Sequence, residues 1–429
     1  MAFDPNRFAH PVPGSPIAVA EIGTAHGGDR QRGLDLVDAA ADAGADIAKI
    51  QVVFAEEILP PEAGLVPLPG GDTPLFEVFR NLERPADFYA ALAERAAKRG
   101  LGFLASPFGE RSVRLLEEIG TAAWKVASPE LNHEPLLERL AATGRPIILS
   151  TGVSTVDDIR RALKVVREAA PNPADPSRPA LTLLHCLTSY PAPEAEANLR
   201  VIPVLAGEFG RPVGLSDHSL DPVLLPGLAS ALGAVMVEKH ITLDREAGGL
   251  DDPVALTPAD FARMVAAMRR FAPAGAVEGE PGREAPGRRR DDRRVESRRA
   301  PGRHKPDRRA SDPRAPEGPS DSPALRAAVE ELAGEYGRDR VEAALGDGVK
   351  RLAPSENPHY RRTNRSLHAV GPLAAGTVVG EVNTALLRTE KVLRPGLPPH
   401  RRREAYGRRL VRDVAAGDGI DWDDLEPVG

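Results

Sequence analysis

Cysteine is nearly absent from this chain of 429 residues: Cys186 is the only one, so no intramolecular disulfide can form and zinc sites built from several thiolates are excluded. Long apolar runs are missing as well. The most apolar stretch, residues 224–237, contains Pro226, Gly227 and Gly233 and runs straight into Glu238 and Lys239, so it cannot cross a bilayer and no membrane partner is expected. The first residues, MAFDPNRFAHPVPG, hold no apolar core; no signal peptide is expected, and with one cysteine a reducing cytoplasm is the expected compartment. There is no excess of positive charge: 56 Lys and Arg against 62 Asp and Glu leave a net −6, which argues against nucleic acid as a general partner. The balance of 28% charged and 41% hydrophobic residues is that of a globular protein, and the length is comfortable for two domains. Glycine and proline are over-represented, 40 and 42 residues, about a fifth of the chain where roughly 12% is usual.

Part of that excess is local. Between residues 283 and 314, twelve Arg and one Lys face six Asp and Glu, a local charge of +7, and Val295 is the only sizeable aliphatic residue. Such a segment cannot bury enough apolar area to offset its chain entropy, so residues 272–323 are expected to form a disordered Arg/Pro-rich linker. Polyanion or RNA contact through the Arg-Arg pairs is the functional alternative to a plain solvated spacer. The chain then divides into an acidic unit over 1–271, the linker, a helical connector over 324–364 and a small module over 365–429.

The first unit alternates short apolar runs with helix-like periodicity. Residues 17–22, 47–51, 101–105, 123–127, 147–150, 181–186, 213–215 and 235–239 read as eight strands rich in Val, Ile and Leu. Helix starts follow several of them: Gly27-Gly28-Asp29, Ser154-Thr155, and Thr257-Pro258 with Asp260. Strand then helix, eight times in about 270 residues, is the count of a (β/α)8 TIM barrel, an α/β fold. A doubly wound sheet would not need eight units, and no G-x-G-x-x-G turn follows the first strand.

In a barrel the carboxyl ends of the strands converge on one mouth. Read in order, those ends carry Glu21, Lys49 with Gln51, Ser106, Lys125 with Ser128 and Glu130, Ser150 with Thr151, His185 with Thr188 and Tyr190, Ser216-Asp217-His218, and Glu238-Lys239-His240. Burying so many polar groups unpaired would cost several kcal/mol each, so a ligand pocket is the economical explanation. Two lysines ringed by the hydroxyls of Ser106, Ser128 and Ser150 suit a small substrate bearing phosphate and carboxylate together. His218 and His240, at the ends of the last two strands, could hold a divalent metal with an open coordination face. Glu21, Glu130 and Asp251 add carboxylates for sugar hydroxyls, metal-bound water or proton transfer, or else serve as ion-pair partners of Lys49 and Lys125.

These residues, in order, resemble the sialic acid synthases, the group of N-acetylneuraminate, legionaminate and pseudaminate synthases. The likeness rests on Ala20-Glu21-Ile22-Gly23 with His26, Gly44-Ala45-Asp46 with Lys49 and Gln51, Ser106-Pro107-Phe108, Lys125-Val126-Ala127-Ser128-Pro129-Glu130, Ser150-Thr151-Gly152, His185-Cys186 with Tyr190-Pro191, Gly214-Leu215-Ser216-Asp217-His218 and Glu238-Lys239-His240. It implies condensation of phosphoenolpyruvate with an N-acetylmannosamine-type aldehyde to a nine-carbon 2-keto acid, with release of phosphate. Lys49, Ser106, Lys125, Ser128, Ser150 and Ser216 would then hold phosphoenolpyruvate, with Gln51 a further substrate-binding residue and Thr188 able to supply a hydroxyl there, and His218 and His240 would hold Mn2+, or Mg2+ or Co2+. Glu21, Tyr190 and Asp251 would contact the amino sugar. Carbon 3 of phosphoenolpyruvate would attack the metal-polarised aldehyde, with water adding at carbon 2 before phosphate leaves, and Glu130 is the carboxylate expected to move that water's proton.

In the last module, Val370, Leu373, Ala374-Ala375-Gly376 and Val379 recur 41 residues later as Val411, Val414, Ala415-Ala416-Gly417 and Ile420. This short duplication suggests a pseudo-symmetric β-rich fold, similar to the antifreeze-protein-like (β-clip) domain of the same synthases. The resemblance implies a domain-swapped homodimer in which Arg394 pairs with the sugar in the partner's barrel. The chain departs from the family pattern at Ala25, at Leu187-Thr188-Ser189, at Gly249-Leu250-Asp251, in the shortened loop after Arg394 and in the long Arg-rich linker. Two other classes stay open: a sister phosphoenolpyruvate aldol synthase of the octulosonate or heptulosonate kind, and a non-catalytic partner in a surface-polysaccharide pathway.

Overall fold

The computed structural model describes residues 2–68, 71–172, 174–175, 179–274, 322–390 and 392–427. Apart from its first three and last two residues, the expected linker over 272–323 lies outside them. Eight buried, Val/Ile/Leu-rich segments form parallel strands: β1 (Ile17–Gly23), β2 (Ile47–Gln51), β3 (Gly102–Ser106), β4 (Trp124–Val126), β5 (Ile147–Ser150), β6 (Leu181–Cys186), β7 (Val213–Asp217) and β8 (Met236–His240). Their order is β3-β2-β1-β8-β7-β6-β5-β4, and the two end strands approach each other, so the sheet is a nearly closed barrel. Each expected strand is present, displaced by no more than two residues at either end.

Eight helices wrap it: α1 (Arg30–Asp42), α2 (Ala86–Lys98), α3 (Glu110–Ile119), α4 (Glu134–Ala141), α5 (Val156–Ala169), α6 (Val201–Phe209), α7 (Leu224–Ala231) and α8 (Pro258–Phe271). The starts read from sequence are real caps. Asp29 accepts from the Arg32 amide at 2.7 Å, Thr155 and Asp158 form a reciprocal capping box, and Thr257 accepts from the Asp260 amide at 3.2 Å.

The two-residue period of each strand sorts its side chains between two cores. Odd positions of β1 and β2 and even positions of β3, β5 and β8 point inward, where Ile17, Val19, Ile47, Leu104, Ile148, Leu184 and Met236 close the floor of the barrel with Phe8. The alternate residues, such as Ala18, Ala48, Val126, Leu149, Leu183 and Val237, belong to the larger core beneath the helices. Gly214 is an inward position where a Cβ would meet the Met236 carbonyl oxygen at 2.4 Å and Leu184 at 2.8 Å, so only glycine fits.

Helices α9 (Pro323–Tyr336) and α10 (Arg338–Leu345) lie in the segment expected as a helical connector. Their Leu325, Ala328, Leu332, Val341 and Leu345 join the same core as the barrel helices, and Arg270 of α8 pairs with Glu331 of α9 at 2.7 Å. They pack as part of the barrel's outer layer, because their apolar faces have α7 to cover. Among the described residues no helix is long and apolar enough to cross a membrane.

The last module has its own core of Leu367, Ala369, Val379, Leu397, Leu410, Val414 and Ile420, around β9 (Arg365–Ala369) and β10 (Thr384–Arg388), which pair antiparallel. The duplication noted in the sequence is realised as a local two-fold. Leu373 and its counterpart Val414 exchange both backbone hydrogen bonds, at 2.9 and 2.8 Å. The Gly376 amide donates to Leu410 O, and the equivalent Gly417 amide donates to Ala369 O. Both glycines have φ near +80°, as such a turn demands.

Candidate active site

One layer above the barrel floor, the inward positions change from aliphatic to ionisable. Each is two residues beyond a floor residue: Glu21 after Val19, Lys49 after Ile47, Ser106 after Leu104, Ser150 after Ile148, Cys186 after Leu184, Glu238 after Met236. The structure brings Glu21, Lys49, Gln51, Lys125, Ser150, Ser216 and Glu238 into one buried cluster. Lys49 Nζ lies 2.5 Å from Glu21 Oε2, and Gln51 donates to Glu21 Oε1 at 2.9 Å. Glu238 Oε1 stands between the two lysines, 3.8 Å from Lys49 and 3.4 Å from Lys125, and accepts from Ser216 Oγ at 3.2 Å. Lys125 donates to Ser150 Oγ at 2.8 Å.

The pocket is therefore charge-balanced, with Glu21 and Glu238 facing the two lysines. Burial would strip the proton from Lys49, but Glu21 and Glu238 outweigh it and hold the ammonium above its ordinary pKa. At Lys125 burial wins, only partly offset by Glu238, so its pKa is lowered. Burial would raise Glu238, yet Lys125 and Lys49 bring it down to about 2. Two groups are left open: Glu238 Oε2 and Ser106 Oγ are buried without a hydrogen-bond partner among the described residues. Each costs about 1–3 kcal/mol in that state, which a bound ligand would relieve.

Beside this cluster His218 and His240 face one another with ring centroids 5.7 Å apart, and Tyr190 covers His218 at 4.2 Å. His218 Nδ1 lies 3.0 Å from Leu187 O. A carbonyl only accepts, so Nδ1 carries the proton and Nε2 is the atom free to bind a metal. His240 Nδ1 is 3.8 Å from Asp251 Oδ2. Among the described residues no group of three or more His, Cys, Asp or Glu is placed to hold a metal ion, and the pocket's candidate ligands are the two imidazoles of His218 and His240. That set fits a divalent ion with an open face.

Further round the mouth, Ser128 Oγ accepts from the Gly152 amide at 3.0 Å, and a Cβ at Gly152 would meet Thr188 Oγ1 at 2.1 Å. Ser128, Gly152 and Thr188 thus close one wall. His185 is not in the pocket: on β6 it has the opposite parity to Leu184 and Cys186, and its Nε2 bonds Ala197 O at 2.7 Å. Asp217 and Lys239 also point outward, paired at 2.5 Å.

Two of the expected site residues lie away from the lysine cluster in this chain. Glu130 does not face the lysine cluster. Its carboxylate is fully buried between the guanidinium groups of Arg365 and Arg388 in the C-terminal module, which outweigh burial and hold it well below the usual carboxylate range. A carboxylate so held takes no proton near neutrality. Arg394 is engaged inside its own module, donating to Gly419 O and Asp424 Oδ2, both at 2.6 Å. The module sits on the barrel of the same chain. Asn132 clamps the Arg365 backbone at 2.9 and 3.1 Å, and Arg402 pairs with Glu134 at 2.8 Å. Glu238 and Cys186 are named at their strand ends in the sequence but given no role in the site there; the parity of Glu238 with Met236 and His240 was a usable signal, and Cys186 lies 3.9 Å from His218 Nδ1.

The NeuB family model matches residues 36–278, more than half of the chain. The spore coat polysaccharide biosynthesis protein SpsE of Bacillus subtilis (strain 168) is 30% identical over 415 residues, spanning 95% of this chain and 92% of that protein. Its crystal structure superposes with a TM-score of 0.69 at 28% identity, covering 97% of this chain and 96% of that one. The N,N'-diacetyllegionaminic acid synthase of Campylobacter jejuni is 34% identical over 259 residues, 59% of this chain and 76% of that protein. On the matched barrel and this near full-length likeness, the chain is an enzyme belonging to the NeuB family.

Proposed function

We propose that the chain condenses phosphoenolpyruvate with an N-acetylmannosamine-type amino sugar to a nine-carbon 2-keto acid of the sialic, legionaminic or pseudaminic kind, releasing phosphate. The observation that carries the reading is the layer of paired lysines and carboxylates with an open Glu238 oxygen and an open Ser106 hydroxyl, in a NeuB-family barrel. Lys125, Ser106, Ser128, Ser150 and Ser216 would receive the phosphate and carboxylate of phosphoenolpyruvate, with Lys49, Gln51 and Thr188 at the edges. Glu21, Tyr190 and Asp251 would orient the sugar. Glu238, bridging both lysines, is the carboxylate placed to balance their charge until the anionic substrate arrives.

His218 and His240 would hold Mn2+ or a similar divalent ion, which supplies Lewis-acid polarisation of an aldehyde when bound. The small module is read as antifreeze-protein-like, its internal two-fold supporting that assignment. The full-length likeness to SpsE supports a product destined for a surface polysaccharide. A homodimer is part of the same reading. With the module seated on its own barrel, turnover that stays constant on dilution through subunit dissociation would set a swapped arrangement aside.

The test is phosphate release from phosphoenolpyruvate with Mn2+ and a panel of N-acetylated hexosamines, beside a His240→Ala control. Release with one of the sugars, lost in the control, is expected. Release only with a pentose or tetrose phosphate would replace the reading by that of the octulosonate or heptulosonate enzymes. No release from folded protein would favour a binding role.

A further inference from the structure

The loop after β5, Thr151-Gly152-Val153, is held by residues about 200 positions further along the chain. Lys350 Nζ donates to Thr151 O at 3.0 Å, the Val153 amide donates to Glu356 Oε1 at 2.6 Å, and Asn364 Nδ2 donates to Val153 O at 3.3 Å. Glu356 Oε1 also accepts from the Thr188 amide at 3.0 Å, while its Oε2 accepts from the Ala353 amide at 3.2 Å. One carboxylate, 1% exposed, thereby ties the loop after β5 to the loop after β6. Val153 requires such a hold. Its φ is +42°, in the left-handed region that a β-branched residue avoids, and it is fully buried. A conformation of this kind costs about 1–3 kcal/mol and persists only where the surroundings over-determine it. Here the residue is gripped at its N–H by Glu356 and at its C=O by Asn364.

We infer that residues 350–364 act as a strap that shapes the loop after β5, beside the residues read as receiving phosphoenolpyruvate, with Glu356 as its positioning residue. Glu356 acts through the amides of Val153 and Thr188, leaving the substrate to others. The wall it sets is tight: at Gly152 a Cβ would lie 2.9 Å from Ser128 Oγ as well as 2.1 Å from Thr188 Oγ1, and the Gly152 amide donates to Ser128 Oγ at 3.0 Å, so a shift of the loop after β5 disturbs Ser128 and a shift of the loop after β6 carries Thr188 with it. The inference rests on the reading that Ser128, Ser150 and Lys125 receive phosphoenolpyruvate.

The experiment uses the full chain and three variants, Glu356→Ala, Glu356→Gln and Asn364→Ala. It measures kcat, the KM for phosphoenolpyruvate, the KM for the amino sugar, and amide hydrogen exchange in peptides spanning 150–156 and 186–190. Glu356→Ala is expected to raise the phosphoenolpyruvate KM by about tenfold or more, with the sugar KM within about twofold, and to speed exchange in both peptides. Glu356→Gln keeps one carbonyl oxygen and should restore most of the loss. A phosphoenolpyruvate KM within about twofold of the parent in Glu356→Ala, or a fall in kcat alone, overturns the strap. Should Glu356→Ala fail to fold, Asn364→Ala decides by the same KM ratio and by exchange at 150–156. If the parent chain does not use phosphoenolpyruvate, the functional reading fails by itself. Exchange then decides the strap alone, faster exchange in both peptides upholding it and unchanged exchange overturning it.

Discussion

Glu130 carries two buried arginines on one carboxylate, and the chemistry of a residue follows from such neighbours more than from its place in a motif. Its motif, Ser128-Pro129-Glu130, puts it near a strand end, but the turn through Ser128–Glu130 aims it at the C-terminal module. Glu130→Gln leaves Arg365 and Arg388 short of a buried counter-charge and is expected to destabilise the chain by about 3–5 kcal/mol, read from denaturant unfolding. Because the native carboxyl is held below its unfolded pKa, its contribution is present above that unfolded value. It is lost only in acid below the usual carboxylate range. Three buried histidines act in the same direction over a higher pH range. Burial lowers His26 and His368 to about 4 and His185 to about 3, from an ordinary 6.5. Between these values the unfolded chain binds more protons. Stability should therefore hold above pH 6.5 and fall on acidification toward pH 3–4, by up to about 1.4 kcal/mol per pH unit for each histidine, in melts recorded across that range.

Among the elements, the strands were the most legible, because a parallel strand buried on both faces reads as a continuous Val/Ile/Leu run. Parity within a strand was equally available and separates Glu238 from Lys239 and Cys186 from His185. The helix starts were visible as Asp29, Thr155 and Thr257. Glu356 and Lys350 left no such signal, since their partners at Val153 and Thr151 are about 200 residues away and the contacts are to backbone atoms that any residue carries. The α5 cap offers a local test. Thr155→Ala removes half of the capping box and is expected to cost about 1 kcal/mol, observed as a lower unfolding midpoint at unchanged m-value.

For the whole molecule, composition suggested two folded units on an extended tether, and the packing assigns the joint differently. Helices α8 and α9 lie against each other, with residues 272–274 and 322–324 lining a common cavity. The basic stretch thus leaves the barrel and returns to it at one place, and the passage to the C-terminal module is the strap over 350–364. Replacing residues 276–320 by a short Gly/Ser linker is expected to leave the melting temperature within a few degrees and turnover within about twofold, since loop closure depends only weakly on length. Loss of folding on that change would show that the stretch contributes contacts of its own.

The meeting of those two ends has a consequence for how the chain can vary. A point where the polypeptide exits and re-enters the same surface is a natural graft site, tolerant of sequence of almost any length and character. A fluorescent protein or an affinity handle inserted between residues 276 and 320 is expected to leave turnover within about twofold, because its two attachment points lie side by side.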